Sequence, residues 1–317
     1  LKVLLLGSRD SGKSTFLKQM RLNYNAPFSE EEIESAAVLI WEVMTQSLRL
    51  LVELVDSRVI AASYALRSVA PVVLEQRYPK LYPARLDAAK TLWNIAAIQE
   101  VFKRGHINVT ENLPYYFQEV PRLFPGASYG VANVQDLLYL RIRSTGITKA
   151  RLHSNGRNME VVDVSSAESE RHHWIHTFHD ATSIIFLVSL TGYNKKLEEW
   201  GSRIQRLFGW NGNQMSNSMD LLEAICLNPN FAHTPIILCF NKNDVFERQI
   251  LYSNISTFFP DFSGAQRNAD AGRDYFHQKF RVIAESAGRT LNRDFFIRVT
   301  TATDAEAMRE FLVVNSE

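Results

Sequence analysis

The sequence predicts an α/β fold, in which helices cover a mostly parallel sheet and an all-helical domain is inserted into the chain. Short β-branched and apolar runs, which are typical of buried strands, occur at residues 2–6, 159–164, 183–190, 236–240 and 295–299. Helical patterns such as 219–226 and 272–287 separate several of these runs. Strands that alternate with helices favour a parallel sheet with helices on both faces.

The interval from about residue 25 to 136 has a different pattern. It lacks comparable strand runs, and residues 31–55 carry apolar side chains three or four positions apart, including Ile33, Ala37, Ile40 and Met44. We therefore expect an α/β domain formed by residues 1–24 and 137–317, with residues 25–136 as an inserted all-helical domain.

Composition excludes several classes of protein. Hydrophobic residues make up 46% of the chain and charged residues 22%, which supports a folded core rather than disorder. Lys and Arg number 35 against 34 Asp and Glu, and this balance argues against a nucleic-acid partner. The apolar runs are shorter than the roughly 20 residues that span a bilayer. Cys226 and Cys239 lie in apolar runs, so we expect buried thiols in a reducing cytosol.

Residues 7–14 read Gly-Ser-Arg-Asp-Ser-Gly-Lys-Ser and match the phosphate-binding pattern G-x-x-x-x-G-K-[ST]. The segment follows a predicted strand and precedes a helical pattern at 15–21, which is the context that the pattern requires. Backbone N–H groups of such a loop surround phosphate oxygens. Lys13 would neutralise the β- and γ-phosphates, and the Ser14 hydroxyl would bind Mg²⁺. The expected nucleotide-binding residues here are Asp10, Ser11, Gly12, Lys13, Ser14 and Thr15. The alternative is an ordinary glycine-containing turn.

Two further segments follow predicted strands. Asn241-Lys242-Asn243-Asp244 comes directly after the run at 236–240, where Asp244 could accept hydrogen bonds from guanine N1 and N2, which adenine cannot offer. The alternative for this tetrapeptide is a solvated turn. Asp163 ends the strand at 159–164 and could hold Mg²⁺ through water. The inserted helical block explains the long interval between Lys13 and Asp163.

These residues resemble the α subunits of heterotrimeric G proteins, and the resemblance covers nearly the whole chain. Asp10 stands where the family usually has Glu. Residues 136–147 resemble the first switch, which implies that Arg141 is the arginine finger supplied in cis and that Ser144, usually Thr, is a Mg²⁺ ligand. Residues 300–303, Thr-Thr-Ala-Thr, resemble the family's guanine loop T-C-A-T. Thr301 then replaces Cys, and the Ala302 N–H is the expected donor to guanine O6.

The second switch departs from the family's D-V-G-G-Q-R, since this chain has Asp-Val-Ser-Ser-Ala-Glu at residues 163–168. Ala167 stands at the glutamine that orients the attacking water, and a methyl group neither donates nor accepts a hydrogen bond. This loss would slow hydrolysis about a hundredfold, or roughly 2.7 kcal/mol of barrier. Ser166 replaces a glycine that senses the γ-phosphate, and its Cβ restricts the backbone. We therefore expect weak hydrolysis and a blunted response to GTP.

The resemblance implies a signalling GTPase that binds GTP, GDP and Mg²⁺ between its two domains. Expected partners are a Gβγ dimer, a seven-helix receptor and a GTPase-activating protein. An alternative is a nucleotide-binding pseudo-GTPase scaffold that does not switch by hydrolysis, and a third is an ATP-dependent kinase with the same phosphate loop. We expect a cytoplasmic protein, which an anchor outside this sequence would hold at the plasma membrane.

Two features have no assigned role. His172, His176 and His179 recur at helical spacing and could form a metal site or a pH-sensitive surface, although a polar helix face is the plainer interpretation. The region of the third switch, residues 191–212, contains an apparent insertion of about ten residues relative to the family.

Overall fold

The computed structural model describes residues 1–24, 26–74, 80–106, 108–140, 147–154, 157–164, 180–195, 212–288 and 294–314. The chain divides into two compact units. One unit comprises Leu1–Pro27 and Ile142–Glu317, and the other comprises Phe28–Arg141.

The described part of the chain forms six strands and thirteen α-helices. The first part of the chain forms β1 (Lys2–Gly7), α1 (Lys13–Asn23), α2 (Glu30–Leu54), α3 (Ser57–Ala62), α4 (Tyr64–Leu74), α5 (Pro83–Trp93), α6 (Ala96–Arg104), α7 (Leu113–Gln118), α8 (Val120–Leu123) and α9 (Val134–Tyr139). The second part forms β2 (Ile147–Ser154), β3 (Arg157–Val164), β4 (Ser183–Ser189), α10 (Gln214–Leu227), β5 (Ile236–Asn241), α11 (Asn243–Gln249), α12 (Ala269–Gly288), β6 (Phe295–Val299) and α13 (Ala305–Val314).

The α/β unit is built on a six-stranded sheet of order β2-β3-β1-β4-β5-β6. The five strands β3, β1, β4, β5 and β6 pair in parallel in that order, which confirms the predicted fold class. Along β1, Leu4 and Leu6 face one apolar cluster while Val3 and Leu5 face another. Helices therefore bury both faces of the sheet, and this burial explains why its strands are continuous apolar runs rather than alternating ones.

Sequence analysis did not predict β2, which pairs antiparallel to β3 at the edge of the sheet. Its segment Ile-Thr-Lys-Ala-Arg-Leu-His-Ser is largely polar, and Leu152 is its buried apolar residue. Ile147 is exposed. An edge strand has solvent on one side, so it lacks the apolar run by which the buried strands were identified.

The helical unit is organised around α2. A capping box between Ser29 and Glu32 begins this helix, and its apolar stripe, including Ile40, Trp41 and Leu48, is fully buried. Among the described helices, α2 alone is long and apolar enough to cross a membrane by length and composition, but more than half of its apolar window is packed inside the protein. The domain boundary expected after residue 136 would fall inside α9.

Candidate functional site

The predicted site residues follow the carboxyl ends of neighbouring parallel strands. The loop at 7–14 begins at the last residue of β1, residues 190–195 follow β4, and residues 241–244 begin at the last residue of β5. These three strands are adjacent in the sheet. Asp163 lies near the end of β3, and residues 300–302 follow β6. Carboxyl ends of parallel strands meet at one edge, which is where open α/β sheets bind ligands.

The loop after β1 depends on its two glycines. Gly7 has φ +146° and Gly12 has φ +97°, and both values lie in the region that favours glycine. A Cβ on Gly7 would lie 2.2 Å from the Leu187 carbonyl oxygen, and a Cβ on Gly12 would lie 2.0 Å from Asn241 Nδ2. Asp10 also lies in the left-handed region, with φ 60°. Left-handed residues turn successive N–H groups toward a common centre, as a phosphate-binding loop requires.

Lys13 is buried at the start of α1. Its Nζ donates to the carbonyl oxygens of Gly7 and Ser8, at 3.0 and 3.1 Å. Burial lowers the pKa of Lys13, while the nearby carboxylates of Asp163 and Asp10 act in the opposite direction. The ammonium group is therefore held inside the loop that should carry a phosphate.

Ser14 and Asp163 are brought together although about 150 residues separate them in sequence. Ser14 Oγ donates to Asp163 Oδ2 at 3.3 Å. Burial raises the pKa of Asp163, and Lys13 and the Ser14 hydroxyl partly oppose this rise. The other carboxylate oxygen, Oδ1, is buried and has no hydrogen-bond partner among the described residues. Hydroxyl and carboxylate oxygens of this kind fit the preference of Mg²⁺ for oxygen ligands. Thr15, the next residue of α1, is half-buried.

Asn241 joins the loop after β1 to the segment after β6. Its Nδ2 donates to the Ser11 carbonyl oxygen at 2.9 Å, and its Oδ1 accepts the Ala302 N–H at 2.9 Å. Gln19 of α1 donates to the Ala302 carbonyl oxygen at 3.0 Å. Sequence analysis assigned the Ala302 N–H to a guanine base. In the structure this N–H donates its hydrogen bond to Asn241 within the protein. Thr301 is half-buried beside it.

Lys242 and Asp244 differ in their surroundings. Lys242 has φ 63°, and its Nζ lies 3.1 Å from Asp10 Oδ2. Lys242 therefore reaches the phosphate loop. Asp244 lies in the first turn of α11, where its Oδ2 accepts a hydrogen bond from Arg248 at 3.3 Å. The carboxylate of Asp244 is 39% exposed, and its role toward guanine stays a prediction.

Three residues that sequence analysis missed also contact the loop after β1. Lys195 Nζ lies 3.2 Å from Asp10 Oδ2, Gln214 Nε2 donates to the Arg9 carbonyl oxygen, and Ser218 Oγ lies 2.7 Å from Ser8 Oγ. No motif marks these residues. The one available signal was the position of Lys195 shortly after β4, at the edge where ligands bind.

Several predicted residues lie outside the described part of the chain. They include Arg141 and Ser144 of the first switch and Ala167 of the second. The three histidines and residues 196–211 of the insertion also lie outside it. Their expected roles therefore stay predictions. Cys226 and Cys239 are buried free thiols, as predicted.

Comparison with known proteins gives a consistent result along the chain. The family model described as G-protein alpha subunit matches residues 1–314. A guanine nucleotide-binding protein alpha-2 subunit from the fungus Mycosarcoma maydis is 32% identical over 316 residues, which cover 98% of this chain and 84% of the relative.

Proposed function

Because this chain belongs to the family of G-protein alpha subunits, we propose that it binds GTP and GDP, with Mg²⁺, at the carboxyl edge of β1, β4 and β5. Members of this family bind guanine nucleotides and act as GTPases. The chain is a guanine-nucleotide-binding signalling protein, and its mostly parallel sheet covered by helices is consistent with the P-loop GTPase fold.

The observation that carries the site assignment is the bridge made by Asn241. One buried side chain holds Ser11 in the phosphate loop and Ala302 in the segment that resembles the guanine loop. A nucleotide has a base at one end and phosphates at the other. The bridge fixes the spacing between the segments proposed to bind these two ends, and it does so with hydrogen bonds at 2.9 Å.

Each group in the phosphate loop has a proposed role. The loop N–H groups around Asp10, Ser11 and Gly12 would hold phosphate oxygens, and the Lys13 ammonium would offset their charge. Ser14, Asp163 and Ser144 would hold Mg²⁺. The cation would offset the negative charge of the phosphate oxygens. Thr15, the next residue of α1, would also bind the nucleotide. Lys242, Asp244 and Thr301 would contact the base.

Hydrolysis is proposed to be weak. Arg141 would stabilise negative charge in the transition state, as its position in the first switch implies. Ala167 supplies no group that could orient the attacking water. The chain would keep the charge-stabilising part of the machinery and lack the water-orienting part. GTP would then persist longer than in a relative with glutamine at this position.

A single-turnover experiment tests this proposal. The purified protein is loaded with GTP and Mg²⁺, and the bound nucleotide is followed by chromatography over hours. We expect slow conversion to GDP, and Ala167→Gln should accelerate it about a hundredfold. Wild-type hydrolysis as fast as that of the Ala167→Gln protein would contradict the proposal. Arg141→Ala serves as a second variant, because it should slow hydrolysis further without preventing GTP from binding.

The Ser165-Ser166-Ala167 run favours a second candidate function. A pseudo-GTPase scaffold would bind GTP and GDP without a conformational response. Limited proteolysis of the two loaded forms separates the candidates, because a switching protein gives different fragments with GTP and GDP. Identical fragments together with no measurable hydrolysis would favour the scaffold.

The family generally couples to Gβγ dimers and to receptors. We propose the same classes of partner here, together with a GTPase-activating protein and a cytoplasmic location at the membrane, reached through an anchor outside this sequence. Co-purification with a Gβγ dimer in the presence of GDP, and release on loading with GTP, would test the first of these partners.

A further inference from the structure

We infer that Lys195 is a positioning residue of the phosphate loop, and that with Lys242 it forms a two-cation clamp on the Asp10 carboxylate. The inference rests on the proposed nucleotide-binding function. Lys195 belongs to no motif in the sequence, and its importance follows from where the fold places it.

The clamp is built from three adjacent strands. Asp10 follows β1, Lys195 follows β4 and Lys242 follows β5, and β4 lies between the other two strands in the sheet. Both ammonium groups reach the same atom, Asp10 Oδ2, at 3.2 Å from Lys195 and 3.1 Å from Lys242. The order of the strands thus delivers two positive charges to one side of a single carboxylate.

Burial makes the interaction of Lys195 strong. Its side chain is 2% exposed and that of Asp10 is 10% exposed, so solvent screens the pair little. An ammonium group is rarely buried this deeply unless it is paired. Removal of one partner from such a pair leaves an uncompensated charge in the interior.

The backbone around the pair shows what the clamp holds. Asp10 has φ 60°, a left-handed conformation that an L-residue adopts at an energetic cost. The same conformation turns the loop N–H groups toward a phosphate. Gln214 supports this arrangement, since its backbone N–H donates to the Lys195 carbonyl oxygen at 2.9 Å and its side chain donates to the Arg9 carbonyl oxygen. Gln214 and Lys195, which are joined by this backbone hydrogen bond, therefore hold residues 9 and 10 of the loop together.

The clamp also reduces the repulsion between the Asp10 carboxylate and the phosphates of the proposed ligand. Asp10 puts a negative charge in a loop that is proposed to receive the negative charges of phosphates, and like charges at short range repel. Two ammonium groups on the carboxylate neutralise this repulsion. The inference is that Lys195 acts on nucleotide affinity through Asp10 rather than through a contact of its own with the ligand.

A double-mutant cycle tests the clamp, with GDP as the probe. The dissociation constant for GDP is measured by titration calorimetry for wild type, Asp10→Asn, Lys195→Met and the double variant. Lys195→Met should weaken GDP binding about tenfold, because it leaves the Asp10 charge less compensated. Asp10→Asn removes the carboxylate on which the clamp acts and keeps a residue that tolerates the left-handed conformation, so its GDP affinity is the reference value for the cycle. The double variant should bind like Asp10→Asn.

The possible outcomes separate the clamp from its alternatives. A double variant as weak as Lys195→Met would overturn the inference, because Lys195 would then act on the ligand independently of Asp10. Unchanged binding by Lys195→Met would overturn it as well. If Lys195→Met does not fold, the comparison of the double variant with Asp10→Asn still decides, because the inference predicts equal affinity for these two proteins.

Two controls complete the cycle. Lys90→Met removes an exposed lysine of the helical unit and should leave GDP affinity unchanged. Melting temperatures of all variants show whether a change in affinity reflects unfolding. Absence of GDP binding by the wild-type protein would overturn the proposed function together with the clamp. Normal wild-type binding with no coupling between Lys195 and Asp10 would overturn the clamp alone.

Discussion

The side-chain oxygen of Asn241 accepts the backbone N–H of Ala302 at 2.9 Å, and the amide nitrogen of the same side chain donates to Ser11. Asn241 is 1% exposed, so neither bond is shared with bulk water. One side chain thereby joins segments that follow β1, β5 and β6.

Asn241→Ala should destabilise the α/β unit by about 3 kcal/mol, because it leaves a buried donor at Ala302 and a buried acceptor at Ser11 without partners. GDP affinity should fall more than tenfold, since the loop and the segment after β6 lose their connection. Urea denaturation and GDP titration measure the two effects. Asn230→Ala removes an exposed asparagine and should change neither. An Asn241→Ala protein with the wild-type urea midpoint would show that the bridge is unimportant.

Gly12→Ala should lose nucleotide binding. The new Cβ would lie 2.0 Å from Asn241 Nδ2 at a φ of +97°, so both the backbone and the Asn241 bridge would have to shift. The matched control is Gly126→Ala, where φ is +58° and no atom of the described residues lies within 4 Å of the added Cβ. We expect the control to cost about 1 kcal/mol in stability from backbone strain alone. Equal GDP affinity in the two variants would contradict the packing argument.

Lys13→Met should abolish GDP binding and stabilise the nucleotide-free protein by about 1 kcal/mol at neutral pH, because burial disfavours the ammonium more than Asp163 and Asp10 favour it. Burial lowers the pKa of Lys13 below its ordinary value of 10.5, so the folded protein releases this proton at a lower pH than the unfolded chain does. Between those two pKa values the unfolded state binds more protons, and the stability of the wild type therefore rises with pH in that window. The advantage of Lys13→Met should shrink across the same window.

Urea denaturation at several alkaline pH values, without nucleotide, measures this effect. Lys149→Met is a suitable control because the Lys149 side chain is 56% exposed. If the difference between wild type and Lys13→Met did not change with pH, the buried ammonium would not be the cause of the stability change.

Asp136→Asn should destabilise the helical unit by about 3 kcal/mol. Asp136 is fully buried, and its two carboxylate oxygens accept hydrogen bonds from Arg122 at 2.7 and 2.8 Å. Burial alone would raise the pKa of Asp136, but hydrogen bonds from Arg122, the Asn133 N–H and Tyr115 outweigh it and lower that pKa. The stabilisation is therefore present above the ordinary pKa of 3.8 and is lost as the pH falls through the lower folded value.

Thermal unfolding followed by circular dichroism, from neutral to acidic pH, tests the role of Asp136. Asp87→Asn is the matched control, since Asp87 pairs with Lys90 at 3.7 Å while 74% of its side chain is exposed. The free energy of unfolding of Asp87→Asn should lie within about 0.5 kcal/mol of the wild-type value. A similar loss in both variants would mean that burial of the Asp136 pair adds nothing.

Local patterns account for most of what the sequence could predict. Five of the six described strands were identified from apolar runs, because burial on both faces leaves a clear signal. The phosphate loop and Asp163 were identified because each lies next to such a run. The edge strand β2 was missed since its partly solvated residues carry no such run.

Contacts between segments that are far apart along the chain could not be predicted from the sequence. The pair of Lys195 and Asp10 joins residues that are 185 positions apart, and it depends on the order of β1 and β4 in the sheet. The assignment of the Ala302 N–H to Asn241 likewise depends on side-chain packing between strand ends. A single sequence records neither the strand order nor the packing.

The placement of β1 has a consequence for biosynthesis. This strand leaves the ribosome well before its partners β3 and β4, which begin at Arg157 and Ser183. The helical unit at 28–141 is continuous in sequence and can fold before the partner strands of β1 have been synthesised. An unpaired apolar strand is prone to aggregate, so nascent chains that stall before residue 157 should require chaperones most.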